Sequence, residues 1–208
     1  MNKQFLSILI ALILSLTVLS ACTAQQNDNP EQEEKTYAAD TLLSEDGTFG
    51  NDSDGTLCVG FIGGSLTDGE SYTTEEGHAF GGQYWTNIVC NYLEEKFPNR
   101  NILPHNAGIG GTGSDYGAAR ITNTILDYAP DIVFIEYTVN DCGRDRENSQ
   151  KYMEVMVRMT QKLEKVPVVI FVYTPNPVEK DSTEYIKWEQ GKNWKQEIAD
   201  YYGIGSID

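Results

Sequence analysis

Apolar positions divide the chain into three stretches. Phe5 to Ser20 is almost wholly apolar (FLSILIALILSLTVLS). Residues 22–56 hold few apolar side chains, and these follow no period. From Leu57 onward two periods take turns. Leu57–Ile62 (LCVGFI) is a short apolar run ending at Gly63-Gly64, the pattern of a buried strand. Residues 84–97 carry Trp85, Ile88, Val89, Tyr92, Leu93 and Phe97 at spacings of three and four, a helical stripe stopped by Pro98. Asn101–His105 predicts a second strand. Residues 114–128, with Ala118, Ile121, Ile125 and Tyr128, predict a second helix closed by Pro130. Asp131–Tyr137 (DIVFIEY) predicts a third strand, and Tyr152, Val155, Met156, Met159 and Leu163 mark a third helix. Val166–Tyr173 (VPVVIFVY) predicts a fourth strand. Residues 183–202 read as a helix bearing Trp188, Trp194, Ile198 and Tyr201, and Ile204–Ile207 begins a fifth strand. Strands apolar along their whole length, separated by helices, predict an α/β fold with a parallel sheet covered on both faces.

The two leading stretches have their own logic. Lys3, the apolar run and the small residues after it describe a secretory signal over residues 1–21. Leu19-Ser20-Ala21-Cys22 resembles the bacterial lipobox, which implies lipidation at Cys22 and a protein anchored by acyl chains on the outer side of a cell membrane. A retained transmembrane anchor is the competing reading, and the run is marginal in length for it. Residues 22–56 hold nine acids against the single Lys35, with no face to bury, and predict an acidic flexible tether. That leaves 57–208 as one domain.

Charge narrows the partners. With 15 Lys+Arg against 31 Asp+Glu the 208-residue chain has a net charge of −16, a poor match to nucleic acid or to an anionic membrane surface. Contact with a membrane is expected only through the lipid anchor. The four Cys are too sparse for a disulfide scaffold and form no zinc pattern. Cys58 and Cys90 read as small buried hydrophobes, and Cys142 as a neighbour of the third strand's loop.

In such folds ligands lie beyond the carboxyl ends of the strands. Gly63-Gly64-Ser65-Leu66-Thr67 follows the first strand, Asn106 to Ser114 (NAGIGGTGS) the second, and Thr138-Val139-Asn140-Asp141 the third. A hydroxyl, a glycine-rich turn and a carboxamide thus converge on one rim. Acyl transfer needs such a set: an attacking oxygen and preorganised N–H donors for the tetrahedral oxyanion. Tyr72, in the loop after Ser65, is placed to line a substrate cleft.

These blocks resemble those of SGNH (GDSL-like) hydrolases, over roughly residues 57–208. The resemblance implies a flavodoxin-like three-layer α/β/α sandwich with a five-stranded parallel sheet in the order 2-1-3-4-5. It makes Ser65 in FIGGSLTDG the nucleophile, Gly111 the backbone donor and Asn140 in EYTVND the side-chain donor of the oxyanion hole. Gly64 and Asp141 flank these positions as substrate-binding candidates, and Asp141 is a candidate for orienting the Asn140 loop. The implied activity is a serine esterase acting on acyl esters, with acetylated carbohydrate favoured by the surface address. A lipid or short-chain acyl esterase and a catalytically silent glycan-binding lipoprotein are the alternatives. No cofactor or metal is implied.

The chain departs from the family pattern in three places. Gly64 stands where the family has Asp, and Thr138 where it has Gly. The family's Asp-x-x-His block follows the fifth strand, and the chain ends within that strand, so a truncated piece without its final helix and its general base is expected. His78, in a polar loop, and His105, closing the second strand, are weaker candidates for the base. Gly108-Ile109-Gly110-Gly111-Thr112-Gly113 also fits GxGxxG, but it follows the second strand rather than the first, which disfavours a dinucleotide.

Overall fold

The computed structural model describes residues 55–69, 84–176 and 178–208, and the backbone of 73–74 and 77–78. The signal, Cys22, residues 22–54 of the expected tether and Tyr72 lie outside the described residues, and Thr56, expected as the tether's last residue, already belongs to the first strand of the sheet. Five parallel strands form the main sheet: β1 (Thr56–Gly63), β2 (Asn101–Gly108), β3 (Ile132–Glu136), β4 (Val168–Val172) and β5 (Gly205–Ile207). Their spatial order is β2-β1-β3-β4-β5, as expected, and all four pairings are parallel. A two-residue antiparallel ribbon joins Thr73–Thr74 to Gly77–His78, which the sequence pattern did not indicate. The helices are α1 (Ser65–Asp68), α2 (Trp85–Lys96), α3 (Ser114–Thr124), α4 (Arg146–Thr160) and α5 (Thr183–Tyr202).

Strand alternation sorts the apolar side chains onto the two faces. Ile62, Val133, Ile135, Tyr137, Val169 and Phe171 pack against Ile121 and Ile125 on the α3 side, Met153, Met156 and Val157 of α4, and Ile198 and Ala199 of α5. Leu57, Val59, Phe61, Ile132, Phe134, Ile170 and Val172 face the other way, onto Val89, Tyr92 and Leu93 of α2. Trp85 joins this second layer edge-on to Phe61 and Phe134, at centroid distances of 5.4 and 5.9 Å. Burying both faces of the same strands is what makes them read as unbroken apolar runs.

Helix boundaries differ from the expected ones for local reasons. The second helix stops at Thr124; a 3₁₀ turn, Leu126–Tyr128, follows, and Ala129 adopts a left-handed φ of 48° before Pro130. Tyr128 therefore leaves the core stripe and stacks on His105, centroids 3.9 Å apart. α4 starts before its apolar stripe because the Asp145 carboxylate caps it, accepting from the Asn148 N–H at 2.9 Å. In α5 the buried positions are Trp188, Gly191, Lys195, Ile198 and Ala199. Of the four residues read on this helix, Trp188 and Ile198 are buried, Trp194 is only half-buried and Tyr201 is exposed. Thirteen residues separate Trp188 from Tyr201, which rotates Tyr201 to the far side of a 3.6-residue helix.

Candidate active site

The carboxyl ends of β1, β2 and β3 deliver three loops to one rim. β1 ends at Gly63, beside Gly108 of β2 and Glu136 of β3. Ser65 follows within two residues and opens α1, whose N-cap is Gly64. The turn is tight: the N–H groups of Thr67 and Asp68 both donate to the Gly64 carbonyl, at 3.1 and 3.0 Å. Such a strand-to-helix turn projects its first side chain out of the sheet edge.

The glycine loop is tied to that turn by direct contacts. The Ile109 N–H donates to the Gly63 carbonyl at 3.1 Å, and the Asn106 side-chain amide to the Thr67 carbonyl at 2.9 Å. A Cβ on Gly108 would stand 2.1 Å from the Asp68 nitrogen, so only glycine permits this approach. Gly111 has φ +73°, the left-handed region, in an exposed turn between these anchors and α3. Its neighbours are thus fixed while its own backbone faces open space.

Asn140 completes the rim. A Cβ on Gly64 would lie 2.2 Å from Asn140 Oδ1 and 3.2 Å from its Nδ2, so the carboxamide packs against the backbone just before Ser65. With Asn140 placed as it is here, a side chain at position 64 would collide with it. Ser65, Gly111 and Asn140 therefore come to the same sheet edge, with Ser65 and Asn140 in adjoining positions.

Two buried carboxyls lie beneath, Glu136 and Asp141, of which the sequence pattern singled out only Asp141. Glu136, fully buried, accepts from the Thr67 hydroxyl at 3.0 Å and the Thr174 hydroxyl at 2.8 Å, and the Gly64 N–H also faces it. It links the Ser65 turn to the loop after β4, where Trp188 Nε1 donates to the Thr174 carbonyl. Burial pushes the Glu136 carboxyl above the ordinary value of 4.5, against the three hydrogen bonds. A raised folded-state value means that the folded chain holds a proton which the unfolded chain has released. Glu136 therefore contributes stability below pH 4.5 that is lost as pH rises through its folded value. Glu136→Gln keeps the shape without the charge. Its melting temperature relative to wild type is expected to climb as pH rises above 4.5, in thermal scans between pH 4 and 8. A difference independent of pH would refute this account.

Asp141 is only 1% exposed. Its Oδ1 accepts from the Ser114 N–H at 3.0 Å and lies 3.2 Å from Arg144 Nε, and its Oδ2 lies 3.3 Å from Lys195 Nζ. The carboxylate points into the protein, a placement that fits the loop-orienting role and not substrate contact. It also occupies the N-terminus of α3, where a GxGxxG loop would hold a pyrophosphate. Cys142 is half-buried, with Sγ 3.5 Å from the Glu184 carbonyl. Cys58, Cys90 and Cys142 are thiols in the described residues. Among those residues no three His, Cys, Asp or Glu side chains are grouped as metal ligands.

His105 does not reach this rim. It sits opposite Gly60, three residues short of the end of β2, about 10 Å down the strand. The backbone of His78 lies in the short ribbon.

A profile of the GDSL-like lipase/acylhydrolase family matches residues 61–208. The chain belongs to that family. No curated protein matches it in sequence. Among solved structures, a two-domain esterase active on acetylated mannans is 26% identical with a TM-score of 0.55, covering 73% of this chain and 37% of its own. The acetylxylan esterase Axe2 of Geobacillus stearothermophilus is 20% identical with a TM-score of 0.56, covering 73% of this chain and 75% of its own. An α/β hydrolase from the metagenome of Lake Arreo, Spain, is also 20% identical, with a TM-score of 0.57, covering 73% of this chain and 76% of its own. This chain thus spans little more than a third of the mannan-active esterase, and the last two likenesses establish the fold alone.

Proposed function

We propose that the protein is a serine esterase that removes acyl groups, chiefly acetyl, from carbohydrate. The observation that carries this is the Asn140 carboxamide seated against Gly64, beside Ser65, with the glycine loop fastened to the same turn. Ser65 Oγ attacks the ester carbonyl. The N–H groups of Ser65 and Gly111 and the Asn140 side chain hold the developing oxyanion. The alcohol leaves, and water then cleaves the acyl-enzyme. The carbohydrate preference is supported by the mannan-active esterase at 26% identity and by the surface address suggested by the N-terminal segment.

The general base is assigned to a His on a segment after β5, preceded three residues earlier by its Asp partner. Support comes from the position of His105, which is far down β2, and from the family's Asp-x-x-His block. Residues 22–208 alone are then expected to be nearly inert on an activated acetyl ester, and the product of the complete reading frame to hydrolyse it. The same assay with acetylated mannan, acetylated xylan and a long-chain acyl ester ranks the substrates, and a preference for the long chain would favour the lipid esterase. An active 22–208 piece silenced by His78→Ala would move the base to His78. A complete protein that binds glycan without cleaving any ester would be the silent binder.

We further propose that Cys22 carries the lipid anchor, on the motif Leu19-Ser20-Ala21-Cys22. Cys22→Ser is expected to leave an uncleaved precursor without acyl chains. A mutant still found wholly in membranes as the shortened mature form would exclude this.

A further inference from the structure

Among the described residues Lys195 is the one Lys or Arg that is buried. It lies on the apolar stripe of α5 with no exposed surface, and its Nζ donates to Ser149 Oγ at 2.9 Å on α4. Its other neighbour is Asp141 Oδ2, at 3.3 Å. No step of the mechanism above uses it. Burial pulls the ammonium below its ordinary value, opposed by the Asp141 charge. Holding a lysine there is costly unless the pair does something that a leucine would not.

What the pair does is visible in the other half of the carboxylate. Asp141 follows Asn140 directly, and its Oδ1 accepts from the Ser114 N–H, three residues after Gly111. One carboxylate therefore spans the two loops that bear the oxyanion donors. Arg144 adds a second cation to the same oxygen and then reaches across to Asp115 of α3 at 2.6 Å. Gly113 fits beneath this bridge with no room for a side chain: a Cβ would lie 2.3 Å from Arg144 Nη2 and 2.8 Å from Asp141 Oδ1.

We propose that Lys195 and Asp141 are positioning residues that set the spacing between the Gly111 and Asn140 donors, with Lys195 locking that spacing to α4 and α5. The proposal rests on the esterase reading. Donors in an oxyanion hole must sit within a few tenths of an ångström of their distance to the oxyanion. A shift of about 1 Å can lower the rate about a hundredfold. Without Lys195 the Asp141 carboxylate keeps Arg144 on Oδ1 but is left with a buried Oδ2 that faces no cation. It would turn toward water and release the Ser114 N–H, and the two loops would move apart. The nucleophile turn is held separately, by Glu136, so substrate binding and the count of reactive serines should persist.

The test uses the complete protein. Competent sites are counted by fluorophosphonate labelling of Ser65, and kcat and KM are measured per labelled site on 4-nitrophenyl acetate. The affinity of a phenylboronic acid, which forms an anionic tetrahedral adduct on serine, reports the donors independently. Lys195→Met is expected to lower kcat about tenfold to a hundredfold, to weaken the boronic acid in parallel, and to leave KM within about twofold. If Lys195→Met does not fold, Asp141→Ala/Lys195→Met leaves neither member of the pair behind and should show the same loss. Asp141→Asn/Lys195→Met restores an acceptor for the Ser114 N–H and should return most of the rate. Wild-type kcat and boronic acid affinity in a folded Lys195→Met or Asp141→Ala/Lys195→Met protein would overturn the positioning role while the esterase reading stands. So would equal losses with Ala and Asn at position 141. A wild-type protein that neither hydrolyses the ester nor takes the label would instead overturn the esterase reading, and this proposal with it.

Discussion

Ser65→Ala in the complete protein is expected to lower kcat on an activated acetyl ester by about a millionfold, the scale on which a lost nucleophile silences a serine hydrolase. The residue opens α1 directly after the Gly64 cap, so truncating its side chain leaves the turn's backbone bonds untouched. The melting temperature should therefore stay within a few degrees of wild type. The Gly111 and Asn140 donors remain, and a residual rate above that in water is expected from them. The check is a kinetic assay paired with a thermal scan and fluorophosphonate labelling. A folded Ser65→Ala protein that keeps a tenth of its activity would remove Ser65 from the reaction and with it the covalent mechanism.

Asn140→Ala should be the next most damaging change. Loss of one oxyanion donor lowers kcat roughly a hundred- to a thousandfold, about 3 to 4 kcal/mol. KM should change far less, because the donor is aimed at the transition state. The contact with Gly64 offers an internal check. The three atoms that a Cβ at position 64 would strike all belong to Asn140. Gly64→Ala should therefore cost stability when Asn140 is present and much less when position 140 is alanine, a coupling that a double-mutant cycle of melting temperatures would read. Additive effects would mean that the side chain does not rest against Gly64. Near wild-type kcat in folded Asn140→Ala would remove Asn140 from the site.

The sheet was legible because both of its faces are buried. Leu57, Val59 and Phe61 turn to one layer and Ile62 to the other, so β1 carries no polar alternation to confuse with a helix. The rim was legible because three short blocks each follow a strand. What could not be read was the support underneath. Glu136 sits inside the run DIVFIEY, where nothing in the spacing marks it out, and it accepts from two hydroxyls contributed from distant segments, Thr67 and Thr174. Those partners are set by strand order, which spacing along the chain does not encode. Lys195 did leave a trace. Trp188, Gly191, Lys195 and Ile198 follow a three-four-three spacing, which puts the lysine on the buried stripe, while the more conspicuous aromatics Trp194 and Tyr201 lie off it. Asp141 was recognised as a neighbour of the site, but its inward direction depends on α5, packed against the loop from far along the chain.

The direction of β1 carries a consequence for how the domain meets a surface. The strand enters the sheet at Thr56 and reaches the rim at Gly63, eight residues and about 25 Å later. Everything N-terminal to the strand joins at the amino edge, opposite the three loops. A domain held by its N-terminus, on a vesicle or on a bead, is attached at the edge opposite these loops, so the attachment itself does not cover them. Large polymeric chains could then approach without passing between the protein and its support, and coupling through the N-terminus should preserve turnover of long substrates.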